Sequence, residues 1–568
     1  MIPLAKRPFT SMRTGIVLVT VVVTLLSLCS LAWPQAEPSD GDLDRSFGGG
    51  GKVATRFLMI SSFSSVALQR DGKIVAVGTA ASARRNVSNI AIVRYGRDGA
   101  LDPTFGNGGI VTSSLEIRTN VVPPVAIQPD GRIVVAGTPG TRNFPEDWAV
   151  LRYNSDGTPD TSFGAGGKVT TEFEYFDARP VAIVIQPDGR ILVGGAGYLA
   201  GSAEKDLHFI FSRYNVDGGL AVNFGDSGLV TSPFLPITDG VTGMALQPDG
   251  KIVATGSTIS FPFRYDWLVA RYNGDGSVDT SFGSNGQITS DLGRVDTSRG
   301  IAVQPDGRIV VAGTTQDGVF EGSLIDIVVG RYNSDGSVDM SFGEGGKVIT
   351  DLGKLEEVSG VALQADGKIL VAGSMSDGTS RSPSFSDFLL VRYNRDGNRD
   401  TRFGRDGILT TDFGKQEKAT AIALQPDGKI VVVGFSGEMV AGGLDQGDFA
   451  LARYIGGGVT VPDPPIPPPQ DFALSFNGIA SASRASKLRL TINVDRRNGF
   501  EGNVTVTAPD TSALKILAKQ DSVSTTGSSV EFLLKIKKSA PRGEHQLIFT
   551  GRDALGRERS ITVTVAVQ

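Results

Sequence analysis

The chain has 568 residues with a formal charge of −5, 20% charged and 40% hydrophobic residues, one cysteine and two histidines. That length exceeds one ordinary domain unless repeated units keep adding to it, and the mild acidity with no basic cluster gives no reason to expect nucleic acid. Cys29 alone excludes an intramolecular disulfide, and His208 and His545 cannot build a His-rich metal site.

At the N-terminus, Lys6, Arg7 and Arg13 precede an uncharged run from Gly15 to Ala32, with small Ser30 and Ala32 before a cut after Ala32. This pattern predicts a signal peptide over 1–32 and export to the periplasm, cell surface or medium. An uncleaved anchor is the alternative, and the only route by which the chain would meet a membrane.

Next comes a strand-like segment, 51–57, and then a repeat. Arg-Tyr recurs at Arg94, Arg152, Arg213, Arg271, Arg331, Arg392 and Arg453, at intervals of 58 to 61 residues. A Gln-x-Asp-Gly-Lys/Arg landmark recurs seven times from Gln69 to Gln425, and Phe-Gly seven times from Phe47 to Phe403. In the fifth copy, strands are predicted at 300–304, 308–313, 326–332 and 346–350, joined by glycine turns. Four strands in about 60 residues predict a propeller blade. The chain opens on a fourth-strand sequence and ends the repeats on a third-strand one. Residues 51–57 are therefore expected to pair with 449–454, close the ring and remove two exposed edges.

The (Q)PDG(K/R)I…RYN-x-DG-x-x-D-x-SFG-x-G-G signature resembles the delta-60 repeat family of bacterial β-propellers over about 43–456. That resemblance implies a propeller fold and export, and brings no catalytic residues. In the third repeat Ala221 replaces the Asp present at Asp44, Asp102, Asp160, Asp279, Asp339 and Asp400.

A Gly/Pro-rich linker, 457–470, reads as extended polyproline spacer. Seven alternating segments follow within 471–568, near 472–477, 487–494, 503–507, 514–518, 530–537, 545–550 and 559–567. They predict a β-sandwich that resembles Ig-like or fibronectin-like modules. The fold class is thus all-β: a seven-bladed propeller followed by a C-terminal sandwich.

Two motifs invite a metal or charge reading. Asn333, Asp335 and Asp339 match part of a calcium loop, but Arg331 stands where a ligand belongs, so turn formation is the preferred reading and calcium the only cofactor considered. The seven Arg-Tyr arginines are assigned a structural role, each paired with the Asp of Asp-x-Ser-Phe-Gly. The first strands, expected to line the channel, carry nothing that titrates, which disfavours catalysis.

The turns after the first and third strands repeat; the loops after the second and fourth vary. Variable loops are where a ligand is read. Asp239, Asp296, Glu356 and Glu417 fall at one repeat position on that side, with Phe261 and Tyr265 among its aromatics. They form the candidate ligand-binding set, an acidic arc for a cationic or carbohydrate ligand, against the alternative of a merely solvated rim. The expected function is non-catalytic recognition of a glycan, peptide or envelope component. A hydrolase or lyase with loop-borne residues, and a purely structural envelope component, are the other readings.

Overall fold

The computed structural model describes residues 39–56, 60–81, 87–118, 122–140, 147–173, 175–199, 207–234, 240–260, 264–292, 295–316, 325–377, 386–437, 439–440, 443–444, 447–457, 471–476, 480–497, 503–553 and 558–568. The expected signal peptide and proline-rich linker lie outside them. No helix among the described residues is long and apolar enough to cross a membrane.

Residues 39–457 form seven four-stranded antiparallel blades. Blade five is representative: an inner strand Val295–Val303, a second Ile309–Gln316, a third Ile325–Tyr332 and an outer Lys347–Thr350. Its second and third strands read IVVAG and DIVVG and are buried on both faces, because neighbouring blades cover them. One apolar cluster fills each junction between successive blades. The cluster holding Ile74, Val93, Val431 and Leu451 joins the seventh blade to the first, so the ring is closed. The inner strands pack on one another around the axis.

The outer strand of blade seven comes from the chain's beginning. Lys52–Arg56 pairs antiparallel with Asp448–Tyr454, Ala54 opposite Ala450. The segment before it completes the preceding turn: Gly41 N–H donates to Ile455 O, Ile455 N–H to Asp42 O, and Gly404 N–H to Asp40 O. In blades five and six the last bond runs instead from Gly343 N–H to Asp396 O, within the Asn-x-Asp-Gly turn. The junction of chain ends therefore falls inside that turn, with Ser39-Asp40-Gly41-Asp42 supplying its second half.

Blade five's inner strand begins five residues before the expected Gly300. Asp296-Thr297-Ser298-Arg299 hid it, since these polar residues show no apolar alternation. A bulge between Ser298 and Gly300 also shifts the register, as bulges do at Val358/Gly360 and Ala419/Ala421 in blades six and seven. The bulge drives a carbonyl of the inner strand against the second strand. A Cβ at Gly313, Gly373 or Gly434 would collide with Thr297 O, Glu357 O or Lys418 O. The glycine that follows the buried apolar run of each of these second strands is thus required by close backbone approach.

The C-terminal region is a two-sheet sandwich. One sheet joins Asp471–Ser475, Lys487–Arg497, Ser529–Ile536 and Ile516–Ala518. The other joins Ala480–Ala482, Glu558–Val567, Gly543–Asp553, Val504–Thr507 and Ser522–Thr525. Both sheets contribute to one core, in which Phe532 and Phe549 lie 5.1 Å apart. Its described residues form nine strands rather than the expected seven, because Ala480–Ala482 and Ser522–Thr525 are too short and polar to show a period.

Candidate functional site

The two faces of the disc handle charge in opposite ways. On the face of the repeated turns, each Arg-Tyr arginine is at most 5% exposed. Its guanidinium carbon lies 4.1–4.6 Å from the centroid of a phenylalanine of Phe-Gly, from Arg94 over Phe105 round to Arg453 over Phe47. Nε donates to the recurrent Asp, 2.7 Å in Arg152–Asp160 and 2.8 Å in Arg271–Asp279. Nη1 reaches a carbonyl of the next blade: Val216 from Arg152, Gly274 from Arg213, Gly456 from Arg392, and Arg97 from Arg453. The landmark glutamine bridges likewise, Gln247 Nε2 to Gly307 O at 3.0 Å and Gln425 Nε2 to Gly72 O at 3.0 Å.

Each of these aspartates also receives the Lys or Arg after the Asp-Gly turn, for example Lys251 on Asp279 at 2.9 Å and Lys429 on Asp44 at 3.2 Å. Burial alone would raise the Asp44 pKa. The Ser46 hydroxyl and amide, with Arg453 and Lys429, outweigh it and hold that pKa at about 2. Blade three lacks this partner. Arg213 is 4% exposed, and its Nε has no acceptor among the described residues; Asn223 Oδ1 reaches Nη2, at 2.8 Å. In the Asn-x-Asp-Gly turn, Asp335 Oδ1 accepts from Ser337 N–H at 2.9 Å and its hydroxyl at 2.7 Å, while Gly336 has φ +93°. These oxygens serve the turn, and among the described residues Asp335 converges with no other pair of possible metal ligands.

Across the disc, on the side of the variable loops, carboxylates gather in groups of three. Between blades four and five, Asp266 opens the third strand, Asp291 follows the outer strand, and Asp296 lies on the next inner strand. One oxygen from each falls within 4.8 Å of the others. Asp387, Asp412 and Glu417 repeat that arrangement between blades six and seven. Asp326, Asp351 and Glu356 hold the equivalent positions between blades five and six. Each set grades from an exposed mouth (Asp291, Asp351, Asp412) to a floor with no exposure (Asp296, Glu356, Glu417).

Hydrogen bonds fix the floor groups. Asp296 accepts from Thr315 Oγ1 at 2.6 Å and Leu292 N–H at 3.0 Å, and Glu417 from Lys415 N–H at 2.8 Å and Ser436 Oγ at 3.1 Å. They leave Asp266 Oδ1, Glu356 Oε2 and Glu417 Oε2 buried with no donor among the described residues. Burial, followed by the charge of Asp326 and Asp351, pushes the Glu356 pKa up to about 8. Burial also raises those of Asp296 and Glu417, each with its two neighbouring carboxylates adding to the effect.

This geometry corrects the expected exposed arc. Asp296, Glu356 and Glu417 are buried at the floor of blade junctions, because the inner strands continue through them. Tyr265, on the third strand of blade four, is half-buried, and Asp239 and Phe261 lie outside the described residues. The partners that complete the clusters, Asp266, Asp291, Asp387 and Asp412, are not among the residues the sequence singles out. A signal was available: Asp stands five residues before the arginine at Asp147, Asp266, Asp326, Asp387 and Asp448. His208 takes that position in blade three, where it is buried with Nδ1 3.1 Å from Ser232 O.

Seven segments match the family model described as "Domain of unknown function (DUF5122) beta-propeller": residues 69–105, 128–163, 186–220, 247–282, 304–342, 364–403 and 425–454. No curated protein matches the chain.

Proposed function

The chain belongs to this β-propeller family over residues 69–454, and from that premise we propose that it is an exported binding scaffold which recognises its ligand through the variable-loop face. The observation carrying this reading is the asymmetry of the disc. The connection between inner and second strands is five residues long in every blade, from 69–73 to 425–429, whereas that between second and third strands runs from three residues, 261–263, to ten, 138–147. A fixed connection serves the fold, while a connection free to vary on a rigid ring serves recognition. The repeated-turn face spends its charges on blade-to-blade bonds, and the variable face keeps carboxylates in reserve.

A glycan and peptide array probed with the full chain tests the proposal. Binding should appear, and should fall at least tenfold when 261–263 and 317–324 are replaced by Gly-Ser of equal length. Failure to bind any array member, or binding indifferent to both replacements, would refute it.

A further inference from the structure

We propose that the two junctions holding Asp266–Asp291–Asp296 and Asp387–Asp412–Glu417 are calcium sites that rivet blade four to five and blade six to seven. This goes beyond ligand recognition, since the ion would act on the ring itself.

Four features carry it. Two oxygens bound to one calcium ion at about 2.4 Å cannot lie more than ~4.8 Å apart, and each set satisfies that limit with all three carboxylates. Asp266 (4% exposed) in one set and Glu417 (no exposure) in the other keep a carboxylate oxygen with no donor among the described residues. A buried carboxylate oxygen without a partner is costly unless a proton or a cation meets it. The donors are all oxygen, with no imidazole or thiolate, which suits a hard cation and disfavours zinc or copper. Finally, Thr315 Oγ1 and the Leu292 amide in one junction, and Ser436 Oγ and the Lys415 amide in the other, orient the floor carboxylates from behind, as an outer shell does.

The exposed mouths provide a path inward and room for the waters that complete six to eight ligands. Acidic clusters elsewhere on a protein surface are commonly matched by a basic side chain. Here Asp296 feels Asp266 and Asp291, and Glu417 feels Asp412 and Asp387, while Lys52 Nζ donates to the Asp412 carbonyl at 2.9 Å. Lys354 lies near Asp387 but is bonded to Asp377, at 2.5 Å, and Lys415 to Asp448, at 3.0 Å. In each junction the three carboxylates come from two strands and the segment after an outer strand, spread over two blades, so one ion would add a tie to the hydrogen bonds and packing that already join those blades.

The test uses full-length protein stripped with EDTA and titrated with calcium chloride by calorimetry, alongside thermal unfolding with and without the ion. Two equivalents should bind, and the Tm should rise by about 3 °C per site at a hundredfold excess over Kd. The double variant Asp291→Asn/Asp412→Asn changes only the exposed mouths and should fold as the parent does in EDTA. It should lose the binding heat and the Tm response together. No heat and no Tm response in the parent would overturn the proposal, as would a response retained in the double variant. The probe is the ion alone, so the outcome is independent of the array experiment.

Discussion

Restoring the missing carboxylate of blade three, Ala221→Asp, should stabilise the propeller. Ala221 is 2% exposed and lies where six other blades place an Asp against the arginine Nε. Arg213 already stacks 4.5 Å from Phe224 and reaches Gly274 O, so its guanidinium is in position. A hydrogen bond to a charged group contributes about 1.5–3 kcal/mol, and burying the new carboxylate takes part of that back. The net gain is about 1–2 kcal/mol. Unfolding entropy of ~2.1 cal/mol/K per residue over roughly 400 residues converts this to about 1–2 °C in Tm. Asp279→Ala is the reciprocal change. It strips the partner from Arg271 and Lys251, costs about 3–5 kcal/mol, and should lower Tm by about 4–6 °C. Scanning calorimetry of both variants at pH 7 decides the matter. The Asp279 pKa is lowered in the fold: burial opposes this, but Ser281, Lys251 and Arg271 prevail. Its contribution is therefore complete above the unfolded value near 3.8 and fades as pH falls through the folded one. A fall or no change in Tm for Ala221→Asp, beside a large fall for Asp279→Ala, would show that Asn223 already satisfies blade three and refute the reasoning.

Glu356 predicts the opposite pH behaviour. Its folded pKa of about 8 exceeds the unfolded value near 4.5, so stability contributed by its proton is full below pH 4.5 and lost as pH rises through 8. Glu356→Gln should be more stable than the parent by about 4–5 kcal/mol at pH 8.5 and close to it near pH 4.5 in urea titrations; parallel pH profiles would contradict this. Gly373→Ala should cost about 2–4 kcal/mol, because the new Cβ meets Glu357 O, and a melting curve unchanged by it would disprove the close approach. Ala54→Cys/Ala450→Cys, opposite one another across the closing strands, should form a disulfide on oxidation and raise Tm; an inability to crosslink would contradict that pairing.

The repeat made the ring legible. Seven copies of three landmarks in constant order define blade number, and the mismatch between the first and last strand types identifies the closing pair. Less visible were interactions whose partners lie about one blade apart. The Arg-Tyr tyrosines show this: Tyr214 and Tyr393 hydroxyls meet Thr171 and Thr350 on the preceding blade at 2.6 and 2.8 Å, 43 residues away. No local pattern announces such a bond. The acids failed for a related reason. Asp296, Glu356 and Glu417 stand in polar stretches that read as loop, yet bulged inner strands run through them, so a supposed surface arc is buried wall. Two of the three carboxylates in each junction arrive from the neighbouring blade, and that junction is invisible until the blades are stacked.

The closing pair also fixes how the ring answers tension. The chain comes in just before Lys52 and leaves just after Tyr454, at the same end of two antiparallel strands. A pull between those ends loads their hydrogen bonds one after another, as a zipper is opened, rather than all together. Ahead of that zipper stand two charged latches, Asp40 on Arg392 and Asp44 on Arg453. A force that opened them would peel one strand and leave six blades intact, so the molecule has a built-in seam at which to yield.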